Sequence, residues 1–259
     1  MPIDDIKPVD ASGDKRVAEE IKEVDYEELS SSWHDVQKYN PATRHRRRLM
    51  LKLIKDLDFK TVMEVGGGQP YLPQEISKVR EIEFTGTDVS KKLTEENRKE
   101  FPEFKFEVLD IVNDTLPEQF DLVISTECIE HVSDYKKALE HIAKMAKKYV
   151  LITVPSSRVF PIDRMIGHYR HYNPQDITKP LEQQGFKIVS SFKWGFPFHN
   201  LYKHLINSVT SPEKMKSSFS TSEYGWVKKL ISNVINILFY FNIKKMGYQL
   251  IVLAERKEQ

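Results

Sequence analysis

A single cysteine, Cys128, leaves no partner for an intrachain disulfide, so a disulfide-stapled secreted scaffold is excluded. No apolar run reaches the ~20 residues needed to cross a bilayer. The nearest candidate, WVKKLISNVINILFYF from Trp226 to Phe241, is broken by Lys228, Lys229 and Asn236. The start, MPIDDIKPVD, has neither the basic beginning nor the apolar stretch of a signal peptide, and a cytoplasmic location is expected. A dominant charge is missing too. Lys and Arg number 39 against 38 Asp and Glu, so any attraction to nucleic acid or an anionic membrane must be local. Internal repeats and low-complexity tracts are absent. What remains, 259 residues with 40% hydrophobic and 30% charged side chains, fits one soluble domain with a sizeable core.

Three of the ten glycines are adjacent. Thr61 to Pro70 reads TVMEVGGGQP, a short β-branched run, then Glu64, then Gly66, Gly67 and Gly68. Glycines closing an apolar strand allow a tight turn and close approach of a ligand to the backbone, although a purely structural turn uses the same residues. A helix from Tyr71 follows. Further strands are predicted at Glu81–Asp88, Phe104–Asp110, Asp121–Thr126 and Tyr149–Val154, with helices at Lys91–Phe101 and Asp134–Lys148 between them. Gly185 to Trp194 and Gly247 to Glu255 read as two final strands. The alternation predicts an α/β, doubly wound, mostly parallel sheet. Asp88, twenty residues beyond Gly68, ends a strand where a carboxylate can accept hydrogen bonds from both hydroxyls of a ribose. A nicotinamide-binding domain would place its third glycine at Tyr71, which is too bulky for close helix packing.

Two further groups carry chemistry. Glu127, Glu130 and His131 fall within five residues after the fourth strand, where they could hold a divalent ion or make His131 a general base. The base assignment is preferred and no metal is assigned. His168 and His171 follow in GHYRHYNPQDI, and His168 is the second catalytic candidate. A helix over 40–57 precedes the first strand. Its Arg44, His45, Arg46, Arg47 and Arg48 read either as a solvated face or as a phosphate site.

The turn from Glu64 to Gly68, the acids Asp88 and Asp110, and DLVISTECIEH from Asp121 to His131 together resemble the class I S-adenosylmethionine-dependent methyltransferases. The resemblance covers roughly Leu49 to Phe192 plus the last strand. It implies a seven-stranded Rossmann-like sheet whose last strand is antiparallel. It also implies that Glu64, Gly66, Gly67, Gly68, Asp88, Asp110 and Glu127 bind S-adenosyl-L-methionine. In that scheme the glycines pass under the methionine part, Asp88 holds the ribose, Asp110 accepts from the adenine amino group, and Glu127 borders the site. Pro70 replaces a glycine usual in the family, which implies a differently shaped turn. The E-x-x-E-H segment is also similar to metal-assisted ubiquinone-pathway and small-RNA 3′-end methyltransferases, in which a later histidine such as His168 completes the site.

Residues 1–39 are expected as an N-terminal segment, mobile or loosely packed in part, and 40–259 as the methyltransferase domain. Residues 195–246, between the last two strands, form an insertion with a polar, exposed stretch at 211–225 and the apolar segment 226–241. A lid, a dimer contact and a helix lying on a membrane surface are its competing uses. The expected function is O-methylation of a small-molecule, saccharide or lipid-linked acceptor. RNA 3′-end methylation and a non-catalytic partner subunit are the alternatives. Nucleic acid is not an expected partner, and the oligomeric state is open.

Overall fold

The computed structural model describes residues 34–209 and 224–258. The expectations for residues before 34 and for the polar loop at 210–223 lie outside the described residues. Seven strands form one sheet: β1 (Thr61–Val65), β2 (Glu83–Asp88), β3 (Lys105–Val108), β4 (Phe120–Thr126), β5 (Ala146–Pro155), β6 (Phe186–Trp194) and β7 (Gln249–Arg256). Their order is β3-β2-β1-β4-β5-β7-β6. The first five pair in parallel, and β7 runs antiparallel between β5 and β6. This is the doubly wound sheet with a reversed last strand that the sequence predicts.

Consecutive apolar residues along the central strands feed opposite faces, because side chains alternate. Val123, Ile152 and Val252 pack under α5 (Tyr135–Met145) and α7 (Pro174–Gln183). Their neighbours Leu122, Leu151 and Ile251 pack under α2 (Pro41–Ile54) and α3 (Tyr71–Ser77). Each fully buried side chain of this size contributes roughly 1.5–3 kcal/mol. Caps set the helix starts. The Asn40 side chain accepts from the Ala42 and Thr43 amides at the head of α2. Ser90 does the same for Leu93 at α4 (Lys91–Glu100).

Boundaries shift by a few residues: the helix expected over 40–57 ends at Ile54, and the strand expected to reach Asp110 ends at Val108. The helix expected to reach Lys148 stops at Met145, and β5 begins at Ala146. Ala146 pairs with Phe120 of β4, so sheet pairing overrides a helical pattern that would otherwise continue. Ahead of the sheet lies α1 (His34–Tyr39), and α6 (Pro161–Met165) follows β5. Between β6 and β7 stand α8 (Phe198–Val209) and α9 (Trp226–Phe239). No helix among the described residues is long and apolar enough to cross a membrane.

Candidate active site

The parallel strands deliver their C-terminal ends to one edge, and the site is assembled there. After β1, Gly66 (φ +61°) and Gly68 (φ +65°) bend the chain through left-handed conformations that favour glycine. Neighbours close the space above them: a Cβ on Gly66 would collide with Cys128 Sγ, and one on Gly68 with the Gln37 amide. Gln37, from α1, also accepts from the Gln69 amide at 3.1 Å and so clamps the turn. Pro70 does not disrupt it. Pro70 stands just before α3, where its missing N–H costs nothing, and its carbonyl accepts from Gln74.

A crevice of about 440 Å³ opens beside this turn, lined by Gly66, Gly68, Asp88, Asp110, Glu127 and His131, among others. Asp88, at the end of β2, is oriented by the Ser90 amide, which donates to Oδ1 at 2.9 Å. Asp110 lies just past β3, held by the Val112 amide and the Asn113 side chain. Val65, Val89, Leu109 and Ile111 supply apolar wall. Carboxylates beside an apolar slot and a glycine turn fit a nucleoside carrying sugar hydroxyls. Glu64 and Gly67 are placed differently. They line a small void of about 10 Å³ behind the turn, where the Glu64 carboxylate accepts from Thr126 Oγ1 at 3.0 Å. Burial raises the Glu64 carboxyl to about 7.

A second cavity, of about 240 Å³, shares Glu127, His131 and Ile166 with the crevice. Glu127 adopts φ +50°, a strained conformation for a residue with a side chain. Arg46 Nη1 lies 3.4 Å from its Oε2, and the Gln249 amide donates to the same oxygen at 3.3 Å. Arg46 Nε, Glu127 Oε1 and Gln249 Oε1 are buried with no hydrogen-bond partner among the described residues.

The histidines form a chain away from His131. The His131 and His168 rings meet edge to face at 4.6 Å. His168 Nδ1 lies 3.1 Å from His171 Nε2, which lies 3.3 Å from Asp163 Oδ2. Lys203 completes the line with an ion pair to Asp163 at 3.0 Å. Burial lowers His131 and His171 to about 4 and holds His168 well below the ordinary imidazole range. All three rings are therefore neutral at pH 7. Glu130 is buried beside them, and neither carboxyl oxygen has a hydrogen-bond partner from another described residue. Burial and the nearby Glu127 push its carboxyl well above the usual range. Glu130, His131 and His168 offer ligand atoms within 4.8 Å of one another.

The sequence brought forward Gly66, Gly68, Asp88, Asp110, Glu127, His131 and His168, and the fold gathers them around these two cavities. Gln37, Arg46, Lys203 and Gln249 were not singled out for this site. The basic run on α2 forms neither a solvated face nor an open phosphate patch. Arg46 pairs with Glu127, Arg47 with Glu75, and the Arg48 guanidinium lies over the Tyr240 ring.

A family model described as a methyltransferase domain matches residues 33–191. The chain belongs to this methyltransferase domain family. The family's methyl donor is S-adenosylmethionine. Protein 235L of Invertebrate iridescent virus 6, named as a methyltransferase, is 26% identical over 100 residues. That match spans 37% of this chain and only 38% of the viral protein. Solved structures share the fold. N-methyltransferase NodS from Bradyrhizobium japonicum WM9, in complex with S-adenosyl-L-homocysteine, is 13% identical with a TM-score of 0.55, covering 94% of this chain and 98% of that one. Magnesium protoporphyrin IX methyltransferase from Synechocystis PCC 6803, also with S-adenosylhomocysteine, is 16% identical with a TM-score of 0.52, covering 94% of each chain.

Proposed function

We propose that this methyltransferase acts on a hydroxyl oxygen of a small-molecule, saccharide or lipid-linked acceptor held in the cavity beside the cofactor crevice. The observation that carries the reading is the position of His131, which lines both spaces at once. S-adenosylmethionine supplies a sulfonium methyl that is already strongly electrophilic, so the protein's work is alignment and proton removal. Gly66 and Gly68 would pass under the donor, Asp88 would hold its ribose and Asp110 its adenine. The His131 ring is hydrogen-bonded to the Gly167 backbone, which orients it at the boundary of the two spaces. Its neutral imidazole would take the acceptor's proton. The orphaned atoms of Arg46, Glu127 and Gln249 provide one donor and two acceptors for further hydroxyls, which supports a polyhydroxylated acceptor.

The test is His131→Ala assayed beside calorimetry with S-adenosylhomocysteine. Turnover should fall by about 100-fold or more, the usual worth of a general base, with cofactor affinity kept. Unchanged turnover, or lost cofactor binding, removes His131 from this role. A second reading, metal-assisted transfer, is favoured by the Glu130, His131 and His168 donor set, whose mixed oxygen and nitrogen atoms suit a divalent ion. Loss of turnover in chelator, restored by manganese or magnesium, would select it.

A further inference from the structure

Helix α9 buries little of its apolar surface. Phe239 packs inward on His45, His199 and Tyr202, and beside it Ser232 Oγ donates to the Tyr39 carbonyl and Asn236 to the Pro41 carbonyl. Its outward side is apolar. Trp226 is 78% exposed, Ile237 60% and Phe241, just past the helix, 67%, with Leu230, Ile231 and Val234 between them. Leu201 and Leu205 of α8 add to the exposed apolar residues of this insertion. A face this large on a soluble domain marks a contact.

Charge says what kind. From residue 224 to residue 248 the chain has four lysines and no acidic residue, although the whole protein carries a net of only +1. Lys228 is exposed at the start of the apolar face, and Lys244 and Lys245 are exposed beyond its end. The same helix α8 also lines the acceptor cavity with Tyr202, Lys203 and Ile206. We propose that this face docks on an anionic lipid membrane, with the apolar side chains in the acyl boundary and the lysines at the headgroups. A second copy fits less well, because a two-fold contact through this face would bring the two lysine sets together. The assignment goes beyond the methyl-transfer reading and does not depend on it. A membrane-borne acceptor would then reach the cavity along α8.

Full-length protein should sediment with vesicles of phosphatidylcholine mixed with phosphatidylglycerol, far less with phosphatidylcholine alone, and less as salt rises. Reversing charge in Lys228→Glu with Lys244→Glu should weaken vesicle affinity at least about tenfold. Leu230→Ser with Ile237→Ser should do the same through lost insertion. Both variants should bind S-adenosylhomocysteine as the parent does, which shows that they fold and separates this test from that of His131. Protein that stays in the supernatant with anionic vesicles overturns the proposal. If that sample also scatters light as a dimer, the face belongs to a second copy. Sedimentation unchanged in both variants overturns it equally.

Discussion

His131 and His168 meet edge to face with ring centroids 4.6 Å apart, and of the two only His131 reaches the crevice beside the glycine turn, while both line the second cavity. One ring therefore braces the other at the boundary between the two spaces.

His168→Ala removes that brace without touching the crevice. If His131 loses its aim, kcat should fall by up to about 100-fold, the scale of a small misplacement of a reacting group. Affinity for S-adenosylhomocysteine should stay within a factor of about two of the parent, below the tenfold that 1.4 kcal/mol would give. Single-turnover kinetics beside calorimetry check both halves, and an equal loss of cofactor affinity would place His168 in general folding instead.

Gly68→Ala adds a Cβ where Gln37 already sits and where φ is +65°. The strain costs about 1–3 kcal/mol. Thermal unfolding should show that loss, and calorimetry a weaker cofactor. Gly185, also at positive φ but with nothing near its Cβ position, is the control: Gly185→Ala should cost stability and leave the cofactor unaffected.

Asp88→Ala should weaken S-adenosylhomocysteine binding by about 10- to 100-fold, the worth of one hydrogen bond to a charged group at roughly 1.5–3 kcal/mol. Ser90 loses an acceptor for its amide in the same variant, so Asp88→Asn, which keeps an oxygen there, should lie between the two. Affinity unchanged in Asp88→Ala would place the sugar elsewhere.

Acid should unfold the protein partly through His45 and His199. Both are buried against Trp194, and burial lowers each ring from 6.5 to about 3. Between those values the unfolded chain takes up protons that the folded rings refuse. Stability therefore falls as pH drops through this window, by up to about 1.4 kcal/mol per unit for each ring, and is flat with respect to them above it. His199→Phe keeps an aromatic ring against Trp194 and should flatten the slope seen in urea unfolding.

Glu64 works in the opposite sense. Its carboxyl rises from 4.5 to about 7 on folding, so its protonated form favours the folded state at low pH and that contribution is lost as pH rises through 7. Glu64→Gln should gain stability relative to the parent as pH rises from 5 to 8. A difference independent of pH would show that Glu64 ionises freely.

The sheet was legible because each strand carries its own local pattern: β-branched runs closed by Gly66, Asp88 or Thr126 name both the element and its ligand-facing end. His131 and Glu127 were legible for the same reason, lying one turn past β4. Gln37, Lys203 and Gln249 were not, since they come from α1, α8 and β7 and share no spacing that a linear reading could detect. Arg46 was hidden differently. Within RHRRR it looks like one of several equivalent charges, and only the helix's rotation against β4 turns it toward Glu127 while Arg47 turns toward Glu75. The outward apolar face of α9 was equally hidden, because sequence gives a helix two faces but not which one points in.

Helix α1 is six residues long, yet it joins distant parts of the molecule. Its Asp35 accepts from the Tyr224 amide ahead of α9, and its Gln37 holds Gln69 through the side chain and Arg47 through the carbonyl. A shortened version of the protein starting at residue 40 would keep every strand and still release the peptide that shapes the glycine bend. Trimming to the sheet would thus slacken the glycine turn, and such a sample would be a poor stand-in for the enzyme in ligand screening.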